Sequence, residues 1–413
     1  MSRTLNAFRI ILLIFMCLVV IGGLLWANIL FSRDHPGEKD FFVPWLAART
    51  FLRYGDNPYG IPASQRAQVI FYGHLAANGQ DPLRLGVPFP LELFYFPFAM
   101  VPDYAFARGL WMTCLEIALF ALASLSVTLT NWRPARTLLP VIFIFSEVWT
   151  YGFLAVIGSG SVIFVSLAIV GSLHALRNDH DEAAGALLVL PFFMLDVVAP
   201  ISIFLFFWAI YHRRARVVAG FLMTFVILMA VSFFILPGWF IPYIGGFISH
   251  YTQQLYLNPG GIIALFLPAI GSRLGWVLTG MVLMVLIFEW KNSLKQEFRH
   301  LLWTASLALA ATPFLGLPFT LQDSVLLFFP LILVLSILAE RWSRPKGWDL
   351  AGFSMIAIFV CFWIITASAV SASNFNSQIA GLVLGLPFLL VLGLYWMRWW
   401  AVRPPRTWRD SLP

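Results

Sequence analysis

The sequence predicts an all-α polytopic membrane protein, and three observations carry that prediction. Hydrophobic residues make up 60% of the 413 residues and charged residues only 11%, whereas an ordinary soluble domain is roughly a quarter charged. The apolar residues gather in runs of the length that crosses a bilayer, about 20 residues. Most of the 26 Lys and Arg stand in short clusters between those runs, the pattern that orients membrane proteins. A soluble globular domain and a disordered chain are both excluded, because the apolar surface is in excess for either. The net charge of +7 belongs to the loop clusters, so it signals topology first, lipid headgroups second and nucleic acid not at all.

Candidate spans fall at 8–30, 105–129, 137–155, 160–177, 184–211, 216–236, 272–290, 299–315, 321–339, 349–371 and 377–398. In the first, Arg3 and Arg9 precede the apolar run Ile10 to Leu30. That run is too long for a signal-peptide core, and Ala27-Asn28-Ile29 is a poor cleavage site, so it reads as a retained first helix. The run 184–211 has Arg177 before it and His212-Arg213-Arg214-Ala215-Arg216 after it, with Pro191 and Pro200 inside. Both of its ends read as cytoplasmic, which makes it two short helices that enter and return. Both termini are then cytoplasmic, in one integral domain (1–413) of the plasma membrane.

Two long segments do not span, 31–104 and 237–271, and both are expected to face outward. Long ordered loops are often functional, so any chemistry belongs at the outer face. Cys17, Cys114 and Cys361 lie in apolar runs without ligand spacing, so neither a disulfide framework nor a metal site is indicated. Gly22-Gly23 and Gly245-Gly246 lack the strand–helix context of a nucleotide loop. No cofactor is called for.

In the first outer loop, Lys39 to Gly55 reads as a short amphipathic helix in the interface plane. Pro44 suits its first turn and Gly55 its stop. Asp40 stands at its start, either as a general base or as a first-turn carboxylate favoured by the helix dipole. Arg49 and Arg53, four apart, share a face. They are a clamp for an anionic headgroup or two snorkelling arginines. Asp56-Asn57-Pro58-Tyr59-Gly60 makes a turn. Phe89 to Phe98 is a second amphipathic segment, in which Glu92 is a further acidic candidate or a loop charge. Asp103 is likewise a candidate or a cap ahead of Ala105.

Asp40 before the aromatic helix, Ala47-Ala48, and Gly55-Asp56-Asn57-Pro58-Tyr59 together resemble the first outer loop of glycosyltransferase family 87. These are integral-membrane enzymes of the GT-C superfamily, related to polyprenol-phosphate-mannose-dependent mannosyltransferases. Phe94-Tyr95-Phe96-Pro97, with Pro102 and Ala105 to Trp111 after it, is similar to that family's Phe-x-Tyr-Pro-Pro block, with Phe98 in place of one proline. Gly158-Ser159-Gly160-Ser161 stands where the family often has Gly-Gln-x-Asn, and Leu195-Asp196 stands where it has a lysine before a proline. The resemblance implies a GT-C-like bundle of about 11–12 transmembrane helices. It also implies transfer of a hexose, mannose in the family's best-known case, from a polyprenyl phosphate to a lipid or glycan hydroxyl. Asp40 is then the base. Asn258 and Asp323 fit the same layout.

The chemistry is self-consistent. A lipid phosphate leaves as a stable anion, so one carboxylate that takes the acceptor's proton is sufficient, and direct displacement inverts the sugar. The leaving phosphate needs cations or donors nearby. The outward candidates are Arg49, Arg53, Arg273 and His250, the last with Tyr251 in a polar patch, Ser249 to Gln254. His250 is equally an exposed interfacial histidine. Gln322 and Asp323 suit sugar hydroxyls or a helix cap. Asp196 is an intramembrane carboxylate, functional or bonded to the loose backbone of its hairpin. Glu116, Glu147 and Glu289 read as bundle-interior pairing groups. The competing reading is a transporter or flippase for a lipid-linked or sugar substrate, supported by the broken run 184–211 and by Asp196.

Overall fold

A computed structural model describes residues 2–253, 259–317, 319–342, 350–371 and 375–402. Among the described residues every regular element is a helix. Six helices are long and apolar enough to cross a membrane: Ile14–Asp34, Tyr104–Leu129, Ala215–Ile235, Gly271–Ser293, Gln322–Arg341 and Leu350–Ala369. A seventh span results if Leu138–Val148 and Thr150–Ile157, bent by 48°, count as one. The chain is therefore a multi-pass membrane protein. Each of the eleven apolar runs coincides with helix, but several are broken short of crossing length. Trp149, for example, takes an extended ψ of 148° and ends the first helix of the bent pair.

The chain folds as two compact units. The first contains 1–117, 156–161 and 230–253. Its helices are α1 (Ser2–Asp34), α2 (Lys39–Tyr54), α3 (Ile61–Tyr72), α4 (Phe89–Glu92), α5 (Phe96–Ala99) and the first half of α6 (Tyr104–Leu129). Helix α1 meets α6 closely. A Cβ on Gly109 would stand 2.9 Å from the backbone nitrogen of Ile29, so only a glycine lets the two backbones approach this far. One turn away, Asn28 donates to Thr113 Oγ1 at 3.1 Å and to Glu116 Oε2 at 3.0 Å. Glu116 thus has the interior partner its sequence position suggested.

Helix α2 keeps the expected bounds. Gly55 adopts φ 72° and returns its N–H to Phe51 O, closing the helix. This is a left-handed cap that glycine takes without a Cβ penalty. One face of the helix is seated on protein. Phe41 and Ala48 are fully enclosed, and Phe42, Val43 and Trp45 are nearly so. Phe42, Val43 and Ala47 form a small core with Ala67, Leu83 and Leu85. Burying a side chain such as Phe41 contributes about 1.5–3 kcal/mol, so packing holds this helix in place.

The second unit contains 118–155, 162–229 and 254–413. It includes α7 (Leu138–Val148), most of α8 (Thr150–Ile157), α9 (Val162–Arg177), α10 (Asp181–Leu187), α11 (Val189–Phe193) and α12 (Leu195–Tyr211). Helix α13 (Ala215–Ile235) begins in this unit, and α14 (Phe240–Gln253) belongs to the first. The run 184–211 is broken as expected, but into three pieces, with a further non-helical residue at Val198. Pro191 and Pro200 explain this, since each lacks an N–H and crowds the preceding turn. The side chain of Asp196 lies outside the described residues. The unit continues through α15 (Pro259–Phe266), α16 (Gly271–Ser293), α17 (Phe298–Ala311), α18 (Phe328–Trp342), α19 (Leu350–Ser371), α20 (Phe375–Trp396) and α21 (Arg398–Val402). Glu289 is paired inside it, taking Arg398 Nη2 at 2.6 Å.

Candidate functional site

The first unit contains the outer-loop candidates Asp40, Arg49, Arg53 and Glu92. Asp40 occupies the first turn of α2 and is exposed. The residues around it are buried aromatics: Phe41 stacks on Trp111 at 5.4 Å, and Tyr95 stacks on the same indole at 4.7 Å. Phe98 meets that indole edge-on at 5.0 Å. The Trp111 N–H is satisfied by Ser159 O at 3.0 Å. Offset stacked and edge-on pairs of this kind add about 0.5–1.5 kcal/mol each beyond burial. They fix α2, the 89–99 segment and the 156–161 loop as one piece.

Tyr95 is where the two acidic candidates converge. Burial chiefly raises its pKa, and the carboxylates of Glu92 and, more weakly, Asp40 push the same way. A hydrogen bond with Ser161 opposes them. Glu92, on α4, is fully enclosed. Neither of its carboxylate oxygens closes a hydrogen bond of good geometry. The backbone of Ala48 approaches it and only partly offsets the burial, which holds the carboxyl well above the usual carboxylate range. Tyr59 is likewise pushed up, by burial first and Glu92 second. Its hydroxyl donates to Val87 O at 2.7 Å.

Arg108 is the second buried ionic group, at 1% exposure. Its Nε donates to Ser159 Oγ at 3.2 Å and its Nη2 to Ile157 O at 2.5 Å. Nη1 donates to Ser32 Oγ at 3.4 Å and to the carbonyl of His35. One side chain therefore ties the end of α1 and the entry to α2 to the 156–161 loop. Gly37 makes room for it: φ is 82°, and a Cβ there would stand 2.5 Å from the guanidinium. The signal that marks Arg108 is an arginine inside the apolar helix Ala105 to Leu129, where a charge is expensive unless it is bonded.

The same unit contains a cleft of about 650 Å³, ordinary for a small-molecule site. Helix α3 and the 82–85 loop line it with α14 (Pro242, Gly245, Gly246). Tyr59 forms part of its wall, and Gln65 and Arg84 stand exposed on its rim. Ser64 and Gln68 turn inward to Pro82 O, at 2.6 and 2.7 Å.

The remaining sequence candidates are distributed as follows. Arg49 is half-buried and donates through Nη1 to Ala99 O and Val101 O, at 3.0 and 3.1 Å. It fastens α2 to the turn after α5. Arg53 is exposed on the last turn of α2, beside Tyr54. His250 and Tyr251 fall at the end of α14 in the first unit, where the side chains lie outside the described residues, and Asn258 lies outside them altogether. Arg273 is exposed on the first turn of α16, in the second unit. Gln322 and Asp323 open a 3₁₀ turn in that unit, where Asp323 Oδ2 takes the N–H and hydroxyl of Thr320 at 2.7 and 2.8 Å. Asp103 caps α6 through Ala105 N–H at 3.1 Å. Of the acidic candidates, Glu92 and, more weakly, Asp40 act on Tyr95, which Ser161 hydrogen-bonds.

Among the described residues no group of three or more His, Cys, Asp or Glu is placed to hold a metal ion. No family model, characterised protein or solved structure matches this chain.

Proposed function

We propose that the protein is a membrane glycosyltransferase of the GT-C kind, which moves a hexose from a polyprenyl phosphate to an acceptor hydroxyl at the outer face. The observation that supports this most is the seat of Asp40: a carboxylate exposed on the first turn of a helix whose neighbouring residues are locked in an aromatic cluster. Such a group is held without being enclosed, which is what a base acting on a docking substrate requires. In the proposed step Asp40 takes the acceptor's hydroxyl proton as the acceptor oxygen bonds to the anomeric carbon. The carbon–oxygen bond to the lipid phosphate breaks, and its electron pair leaves with the phosphate. Arg53 is exposed on the same helix and suits the anionic donor, whereas Arg49 is engaged with Ala99 and Val101. The cleft beside Tyr59, with Gln65 and Arg84 on its rim, suits a polyhydroxylated acceptor.

A transporter is the second reading, favoured by the break of α12 at Val198. Purified protein given radiolabelled polyprenyl-phosphate hexoses and a membrane extract separates the two. Label transferred by the wild type and lost in a folded Asp40→Asn variant supports the enzyme. Label that stays on the donor while reconstituted protein moves the lipid across vesicles supports the transporter.

A further inference from the structure

A second cleft, of about 470 Å³, lies wholly in the second unit. It is lined where two membrane-crossing helices end. Leu129 closes the span Tyr104–Leu129, and Glu340 is next to last in the span Gln322–Arg341. Two spans that end together place the cleft at the level of lipid headgroups on one surface of the bilayer.

Three arginines line it: Arg177, Arg214 and Arg299. Their charges are not equally matched. Arg214 is answered by Asp179 and Asp181, both at 2.9 Å. Arg299 is answered by Glu340 at 3.0 Å. Arg177 bonds only neutral oxygens: Thr128 O at 3.2 Å, Leu129 O at 2.9 Å and Asn131 Oδ1 at 2.6 Å. Among the described residues it has no carboxylate partner. Those bonds hold the guanidinium in one orientation, so little side-chain entropy is left to lose when an anion arrives. The floor is apolar, with Leu176, Leu302 and Ile337 buried beneath the charged rim. Two rim residues, Asn131 and Asp179, hold the left-handed conformation at φ 55° and 58°, a cost that persists where surrounding contacts demand it.

We infer that this cleft binds the phosphate of an anionic bilayer phospholipid, with Arg177 supplying the guanidinium that no carboxylate of the cleft pairs with and the apolar floor receiving the first methylenes of the acyl chains. A guanidinium suits a phosphate through paired N–H donors, and basic pockets between membrane helices bind anionic headgroups for this reason. Capping of α6 by Arg177 alone accounts for the bonds to Thr128 and Leu129, but it predicts no preference among lipids. The inference does not depend on the glycosyltransferase reading, since it concerns other residues and another readout.

The test is native mass spectrometry of the full chain in detergent. Phosphatidylglycerol and phosphatidylcholine of the same chains are titrated in parallel against wild type, Arg177→Gln and Arg177→Lys. The wild type is expected to retain phosphatidylglycerol about tenfold better, the margin of one charge-assisted contact. That preference is expected to vanish in the Gln variant and to persist in the Lys variant. Equal retention of the two lipids by the wild type overturns the inference. So does an unchanged preference in folded Arg177→Gln. If the Gln variant does not fold, the wild-type comparison and the Lys variant decide. A further arm adds soluble glycerol phosphate: failure to displace the lipid supports a bilayer source, and displacement at millimolar concentration overturns it in favour of a free phosphate ester.

Discussion

Asp40, Asp103 and Asp323 look alike in the sequence, each an aspartate near the start of a helix on a segment expected to face outward. The structure separates them. Asp103 gives an oxygen to Ala105 N–H and Asp323 gives one to both donors of Thr320. Both carboxylates are committed to their own backbone. Asp40 lies inside α2, after the N-cap Glu38, and is held by the burial of Phe41, Phe42 and Trp45 around it. A carboxylate used as a cap contributes stability. Asp40, the proposed base, is exposed on a packed helix. Local propensity favours an acid at all three places, so only the tertiary surroundings tell the three carboxylates apart.

The largest effect expected from this contrast is on activity. Asp40→Asn should lower transfer by about 10²–10⁴-fold, the usual contribution of a general base, with the thermal midpoint nearly unchanged. Asp103→Asn and Asp323→Asn should stay within a few-fold of wild type in the same assay. If all three variants lose activity equally, Asp40 has no special standing and the contrast fails.

Next in size is the removal of the group that holds Asp40's surroundings together. Arg108→Met keeps an apolar stem but leaves the carbonyls of His35 and Ile157 without this donor inside the protein. Each unmet buried polar group costs about 1–3 kcal/mol. A stability loss of about 2–6 kcal/mol is therefore expected for the two carbonyls together. Denaturant unfolding in detergent measures it. A loss under 1 kcal/mol would mean that water replaces the guanidinium, and that the 156–161 loop does not depend on it.

Much of this was legible beforehand, for identifiable reasons. The end of the helix 39–55 was readable because Gly55 has a backbone preference that acts locally, and it does adopt the left-handed cap, whereas Pro44, expected in the first turn, lies inside the helix. The break in 184–211 was readable from its two prolines. The further non-helical residue inside α12 was not, because Val198 carries no local signal of its own. The site divides in the same way. Asp40 stood out only through the family resemblance, since its position alone suits a first-turn carboxylate. Glu92 and Arg108 could only be noted as charges, because their meaning is burial, and burial depends on segments far apart in the chain. Ser159, which accepts from Arg108, lies 51 residues away from it.

Glu92 offers the next comparison, a carboxylate buried where Asp40 is exposed. Burial, with only partial relief from the Ala48 backbone, raises its folded pKa well above 4.5. Above that ordinary value the unfolded chain has released a proton that the folded chain still binds. Stability therefore falls as pH rises from about 4.5 towards the folded pKa, and levels off beyond it. Glutamine imitates the protonated form, so Glu92→Gln should remove that slope. The variant should be more stable than wild type at pH 8 by about 1–3 kcal/mol, the size of one unmet buried polar group. Midpoints measured between pH 5 and 8 test this. A wild-type curve as flat as the variant's would mean that Glu92 is ionised and well solvated in the folded protein.

The smallest effect tests the capped side of the contrast. If Asp323 is a cap, its value resides in Thr320, and the two should be coupled. Asp323→Asn keeps a side-chain oxygen that can accept from Thr320 N–H, so it should cost only a few tenths of a kcal/mol. Asp323→Ala removes the acceptor and should cost about 1 kcal/mol, as cap losses do. Thr320→Val removes the hydroxyl that donates at 2.8 Å and leaves the N–H bond in place. The double variant should then lose less than the sum of the singles, with a coupling of about 0.5–1 kcal/mol. Strict additivity would show that Asp323 does not act through Thr320. It would then rank beside Asp40 as a carboxylate available to sugar hydroxyls, and Asp323→Ala should weaken substrate binding, read as a raised KM, more than it lowers the thermal midpoint.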